Sequence, residues 1–440
     1  MNQPTKYYQL VPEKVFQNLP VIAELLSQDI TGFHIDHLKE ILSIVACHIR
    51  KDENCTPLKI TYIKKLVPQG DKYLSGLINL DVIQRSGIAI KGQASYKYNF
   101  APDYLSKYIS LPLNNAKLIR RIESAHQELR KQDTKSIRNH SEQAKYLKQL
   151  TIADNYSDFV KENYMTETDQ YNSILGSATR IINKDIFYSI DNTSGRFHSN
   201  ITNMAKGLRP YLRINNEPLA NIDIKNSQPY LSTILLTDPG KVSYLTNNPV
   251  FALLLQTLKV SLNQDVNKYI ELVILGQLYE YLMAEYYSEG LIFTRSETKS
   301  HVLRILFARN RMPKDEINRK ARQIFIDRFP TVHKIFSKIR GSEKGDKFQN
   351  FKRFAILLQR IESYLMLDVI LKRIYKELPG TIAVTIHDSI MTGILTNNVE
   401  AVRKIMNDEL LFFVGFQPQI KIERDIEERK EKETIQISSN

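Results

Sequence analysis

Residues 218–231, PLANIDIKNSQPYL, and residues 381–395, TIAVTIHDSIMTGIL, decide how this chain is read. In the first, Leu219, Ile222 and Ile224 flank Asp223 in a short strand pattern that ends at Lys225-Asn226. In the second, two β-branched runs, Thr381–Ile386 and Ile390–Leu395, flank His387-Asp388-Ser389. Alternation places Ile382, Val384 and Ile386 on one face, and the break between the runs predicts a tight hairpin with Asp388 exposed at its tip. Taken singly, each aspartate is ordinary: one turns a loop or caps a helix beginning near Ser227-Gln228-Pro229, the other sits in a turn. Taken together they are not, because a carboxylate near a buried strand is costly unless a cation meets it. A strand end presenting Asp223 beside a hairpin presenting Asp388 can hold two divalent cations. Two such ions roughly 3.5–4 Å apart clamp the attacking and leaving oxygens of an in-line phosphoryl displacement. Mg²⁺ suits a two-carboxylate site, since phosphate oxygens and water complete its shell.

Between these stretches lies FTRSETKSHVLRILFARN, residues 293–310. Arg295, Lys299, Leu303 and Phe307 recur every four residues and so share one face of a helix. Two cations followed by an apolar pair suit a nucleoside triphosphate, with Arg295 and Lys299 on the phosphates and Leu303 and Phe307 near base and sugar. An amphipathic surface helix with a basic end has the same pattern.

The chain has 440 residues, enough for two to four domains at roughly 100–200 residues each. Hydrophobic residues make up 42%, which excludes wholesale disorder. The longest apolar run is about the length of Val250–Leu255, well short of the roughly 20 residues a membrane span needs. Met1–Val15 has no apolar core of a secretory signal. Two cysteines are too few for a disulfide scaffold, so a reducing, cytoplasmic setting is expected. His34, His37, Cys47, His48 and Cys55 crowd together without a Cys-x2-Cys pair, and a structural zinc is not expected. Lys and Arg number 61 against 48 Asp and Glu, a net charge of +13 that favours a polyanionic partner, nucleic acid before membrane.

Along the chain, a helix is predicted over His34–Arg50, short helices over Thr61–Leu66 and Asp71–Leu80, and a β-hairpin over Val82–Phe100 broken by Gly87 and Gly92. Three helices followed by a hairpin is the order of a winged helix, a fold used for DNA contact and for protein contact alike. Residues 115–190 read as helical and start basic, with Lys117, Arg120, Arg121, Arg130, Lys131, Lys135 and Arg138.

These motifs resemble those of family A DNA polymerases and the related phage-type single-subunit polymerases. SGRFHSNITNMAKGLRPYLRINNEPLANIDIKNSQPYL, residues 194–231, is similar to the segment running from a Gly-Arg pair into palm motif A. Residues 295–307 resemble motif B of the fingers helix, and residues 381–390 resemble motif C. Arg353 through Gln359 to Leu371 resembles the long palm helix before motif C. The resemblance covers about residues 190–425, with the motifs in the family's order. It implies that Asp223 and Asp388 are the metal-binding catalytic carboxylates, that Arg295 and Lys299 grip the triphosphate, and that Phe307 lies beside the nascent base pair. It further implies that Arg196 contacts template–primer, that His387 lies near the primer terminus, and that Gln359 contacts the template.

The resemblance implies an α+β fold, a right-hand palm–fingers–thumb polymerase core with an antiparallel palm sheet, mostly helical elsewhere; the order of elements ahead of it adds a winged-helix-like module. The expected divisions are 1–110 for that module, 111–190 for a helical thumb-like region, 191–425 for palm and fingers, and 426–440 for a disordered tail. The implied enzyme is a DNA-directed DNA polymerase using two Mg²⁺ ions. Its partners would be a DNA template–primer, nucleoside triphosphates and, through the N-terminal module, replication proteins, with no membrane. Replication of a phage or mobile element in a bacterial or phage-infected cell fits the small size. Three departures bear on the chemistry. Ser389 follows the motif C aspartate where DNA polymerases of the family usually have Glu. Gln228 stands five residues beyond Asp223, where DNA-specific members carry a Glu that blocks the ribose 2′-OH. Leu303 occupies a usually aromatic position. No paired-carboxylate exonuclease motif precedes the palm segment, so no proofreading is expected. Two other readings stand: a primase or RNA polymerase using ribonucleotides, and a non-enzymatic winged-helix replication initiator on a degenerate scaffold.

Overall fold

The computed structural model describes residues 7–47, 55–88, 95–133, 140–165, 168–341, 352–395 and 398–423. The expected tail 426–440, His48, Gly92, Lys135 and Arg138 lie outside the described residues. Helices and antiparallel strands are mixed, and the chain divides into two compact units. One comprises Met1–Ser189 with Ser199–Asn216, the other Ile190–His198 with Glu217–Asn440. No helix among the described residues is long and apolar enough to cross a membrane.

In the first unit, β1 (Tyr7–Pro12) lies against α1 (Ile35–Cys47), whose Leu38, Ile41, Leu42 and Val45 are wholly buried. The spacing of those four residues puts them on one helix stripe, and that stripe forms the core of the unit. Helices α2 (Ile60–Leu66) and α3 (Gly70–Asn79) follow, then β2 (Ile83–Ser86) and β3 (Lys97–Phe100). The strands β2 and β3 pair antiparallel, and Thr56–Pro57 adds a third strand against Tyr98 and Lys97. Gly70 opens α3 because a side chain there would meet Ile63 Cγ2 at 2.5 Å. β4 (Tyr108–Leu113) returns to pair with β1, Tyr7 opposite Leu113 and Pro12 opposite Tyr108. The basic region supplies α4 (Ala116–Asp133) and α5 (Thr168–Ile182). Not all of it is helical: Leu150–Ile152 forms a strand paired with Leu212–Ile214.

The second unit is built on a four-stranded antiparallel arrangement. β6 (Ala383–Ile386) and β7 (Ser389–Gly393) form a hairpin, and β7 pairs with β5 (Glu217–Ile224). On its other flank, β5 pairs with β8 (Ile420–Glu423). All residues of β6 and β7 are buried, so both faces of the hairpin are covered, the one carrying Val384 and Ile386 and the other. The cause is visible in composition: both runs lack charge, and helix α11 (Val399–Val414) packs across β5 and β7.

The helices of this unit include α6 (Ser227–Ser232), α7 (Leu278–Ser288) and α8 (Arg295–Phe307). They also include α9 (Pro330–Arg340) and α10 (Arg353–Ser363), which runs through a widened π-helical stretch, Tyr364–Ile370, into Leu371–Glu377. Helix α8 starts at a capping box between Thr294 and Glu297. Its end is held by two buried arginines. Arg340 donates to the carbonyls of Ile305 (2.7 Å) and Ala308 (3.2 Å), and Arg322 to those of Arg309, Asn310 and Arg311. The Ile305 carbonyl belongs to the last helical turn, where such groups would otherwise be orphaned, while those of residues 309–311 lie in the segment that follows.

Candidate functional site

Asp223 is the penultimate residue of β5 and stands opposite Ser389 in the ladder, one residue past Asp388. The tie is closer still, because the Ile224 N–H donates to the Asp388 carbonyl at 3.4 Å. Opposite residues in such a ladder lie about 4.5–5.5 Å apart at Cα, and chain neighbours about 3.8 Å. The two aspartate backbones are therefore within roughly 9 Å of each other. Both side chains are half-buried, so Asp388 is less exposed than its place at the turn suggested. The Asp388 carboxylate makes no hydrogen bond or ion pair with another described residue.

The turn itself is strained. His387 sits at φ +54°, a left-handed conformation that costs a non-glycine residue about 1–2 kcal/mol. Such strain concentrates where a fold must present a particular group. The His387 ring meets His198 edge-on at 5.8 Å. His198 in turn lies 3.8 Å from the Asp191 carboxylate. Asp191 follows the short strand Tyr188–Ile190 and folds the loop to Arg196 around itself, accepting from the N–H groups of Thr193 (2.6 Å) and Ser194 (2.9 Å) and from the Ser194 hydroxyl. Burial raises its pKa, but these donors and His198 outweigh it and bring the group down to about 2.

This loop delivers Arg196 to a partner that sequence reading missed. Glu362, on α10, is 2% exposed. Its Oε1 accepts from Arg196 Nε (2.8 Å) and Nη2 (2.7 Å), and its Oε2 from Gln228 Nε2 (2.5 Å). Burial and then the nearby Asp388 charge push Glu362 up to about 7, against the pull of Arg196 and Gln228. The signal that could have found it is a carboxylate within the apolar stripe Phe354, Leu358, Ile361, Leu365. Gln359, one turn earlier, is half-buried, and its side chain makes no hydrogen bond among the described residues.

Helix α8 buries His301, Val302, Ile305 and Leu306, which leaves Arg295, Lys299, Leu303 and Phe307 along its less buried side. Arg295 is engaged: it pairs with Glu280 at 2.5 Å and lies over the Tyr279 ring at 5.3 Å. Tyr279 is buried on α7, which raises its phenol to about 12, and it feels the charges of Arg295, Glu280 and Asp388. Lys299 is exposed and has no ion pair or hydrogen bond among the described residues. Leu303 and Phe307 are half-buried. The geometry thus gathers Asp223, Asp388, His387, Arg196 and Gln228 through strand pairing, hydrogen bonds and ring contacts. It shares an electrostatic neighbourhood with Arg295, while no direct bond links Lys299, Leu303, Phe307 or Gln359 to that group.

No protein-family model matches the chain, and no curated protein does. Among solved structures, the chain is similar to the POL domain of Pol1 from M. smegmatis in complex with DNA primer-template and dNTP. The identity is 10% and the TM-score 0.39, over 95% of this chain and 67% of that one. That likeness is too slight to carry an assignment, which has to rest on the side chains themselves.

The donor set fits hard divalent cations. Asp223 on β5 and Asp388 in the β6–β7 turn belong to no group of three or more histidines, cysteines or carboxylates among the described residues. Such a pair leaves most of the coordination sphere to water and substrate, which is how Mg²⁺ is held in phosphoryl-transfer sites.

Proposed function

We propose that the second unit is the catalytic core of a template-directed nucleotidyltransferase, a DNA polymerase without proofreading. The observation that carries this reading is the junction of Asp223 and Asp388 across β5 and β7, with the bond from Ile224 to Asp388 locking it. In this reading β5–β8 form the palm sheet, α8 belongs to the fingers, and residues 111–190 act as a short thumb. The primer 3′-hydroxyl gives up its proton to water, its oxygen forms a bond to the α-phosphorus, the bond from that phosphorus to the bridging oxygen breaks, and pyrophosphate leaves. Asp223 and Asp388 would hold two Mg²⁺ ions, which would supply the positive charge this transfer needs.

The protein's own groups do the rest. In this reading Lys299, exposed and with no ion pair among the described residues, takes up triphosphate charge, and Arg295 exchanges Glu280 for phosphate. Leu303 and Phe307 offer the apolar surface for base and sugar. Arg196 has Nε and Nη2 committed to Glu362, which fixes the plane in which its remaining nitrogen meets the duplex. His387 and Gln359 belong to the primer and template sides. Helices α1–α3 and the three-stranded sheet of Thr56–Pro57, β2 and β3 are proposed to be a winged-helix module that contacts DNA or a replication protein. Ribonucleotide use is a second reading, favoured by Gln228: the position is an amide already bonded to Glu362, not a free carboxylate.

Primer extension on a primed template, with deoxy- and ribonucleotides separately and with or without Mg²⁺, tests both. Extension dependent on Mg²⁺ is expected, lost in Asp223→Asn and in Asp388→Asn while duplex binding stays within a few-fold. Retained extension in either variant removes the two-metal assignment.

A further inference from the structure

We infer that Glu362 is a positioning residue that joins the duplex-contacting end of this site to its nucleotide end, a deepening that rests on the polymerase reading. Both of its oxygens are committed, one to Arg196 and the other to Gln228. These partners come from separate elements: Arg196 from the Asp191–Arg196 loop, Gln228 from the first turn of α6. One buried carboxylate therefore fixes both at once.

The second observation concerns Gln228. Its Oε1 is buried and has no hydrogen-bond partner among the described residues. A carboxylate only accepts, so Glu362 dictates the amide's orientation: Nε2 toward α10, Oε1 away from it. An acceptor held out of water without a donor is costly unless a ligand supplies one. Arg196 is held in the same way. Its Nε and Nη2 are used, and Nη1 remains for an acceptor on the nucleic acid. Gly195, at φ +72°, lets the loop take a left-handed turn beside α10, where a would-be Cβ would meet Ser363 Cβ at an ordinary contact distance of 3.7 Å. Arg360, two residues before Glu362, holds the same loop through the Thr193 carbonyl at 2.8 Å. Helix α10 thus secures the loop by one arginine and aims Arg196 by one glutamate.

The chemistry specifies which variant is informative. Glutamine at 362 keeps the shape but has one acceptor where two are used. It can satisfy Arg196 only by turning its NH₂ toward Gln228, which must then flip and present a donor where it presented an acceptor. The Glu362→Gln chain is expected to melt within a few degrees of the parent but to lose about tenfold or more in kcat/KM for single-nucleotide incorporation. Glu362→Ala should lose at least as much. Adding Arg196→Ala or Gln228→Ala to Glu362→Ala should then cost far less than either does in the parent, because the coupling is already gone.

The full-length protein is assayed by single-nucleotide incorporation on primer–template, with melting temperature measured in parallel. Lowered melting with unchanged kcat and KM in Glu362→Gln would mean a structural role only and overturns the proposal. Additive losses in both double variants overturn it too. A parent protein that extends no primer with either nucleotide set defeats the polymerase reading itself, a result distinct from an active parent with indifferent Glu362 variants.

Discussion

Glu40 lies in the core of the first unit with Gln9 as its hydrogen-bond donor. Burial pushes its pKa from the ordinary 4.5 up to about 8, with Gln9 opposing the rise. The sign of the consequence follows. As pH rises from about 4.5 the unfolded chain ionises while the folded chain stays protonated, so the stability present below that pH is lost progressively as it passes about 8. Glu40→Gln keeps an acceptor for Gln9 and removes the ionisation. The melting temperature of the parent should therefore fall relative to Glu40→Gln between about pH 5 and about pH 9. A gap that does not widen over that range means Glu40 ionises as an exposed glutamate does. At the candidate site, Asp223 and Asp388 were legible in the sequence because each interrupts an apolar run. Glu362 was not, since its partners lie 166 and 134 positions away and only the folded chain brings them to it.

Helix α8 shows what a single element reveals of itself. Its four-residue stripe was readable because helix geometry alone sets it, and its start is fixed by Thr294 and Glu297. What the stripe meets was not readable: Arg295 pairs with Glu280 of α7, a neighbour chosen by packing. Two predictions belong here. Thr294→Ala removes the capping box and should cost about 1 kcal/mol of stability, read in a denaturant titration. Lys299→Ala should raise the KM for triphosphate by roughly tenfold, as loss of one charge-assisted phosphate contact implies, with the melting temperature unchanged. An unaltered KM takes Lys299 out of the site. The hairpin β6–β7 was likewise predicted from its two runs. Its double-sided burial was not, because whether a face is covered depends on helix α11, which follows it in the chain.

For the molecule as a whole, the excess of 61 basic over 48 acidic residues should govern duplex affinity. Binding of primer–template should weaken with salt, log affinity falling in proportion to log salt with a slope of about −0.9 per phosphate neutralised. Affinity indifferent to salt in a fluorescence-anisotropy titration would contradict a phosphate-led interface. The division into units is a whole-chain property that no linear reading exposes. Residues 190–198 cluster with Glu217–Asn440, while 199–216 cluster with the N-terminal unit. Within the second unit, β5 is gripped along both edges, by β7 and by β8. Its pairing frame is consequently locked twice. A chain that zips one step out of frame offers Ile222 or Ile224 where a carboxylate belongs and drives Asp223 into apolar packing. Misthreaded molecules then drop out of the working population at once, and the specific activity of a preparation becomes a gauge of how faithfully its central strand was threaded.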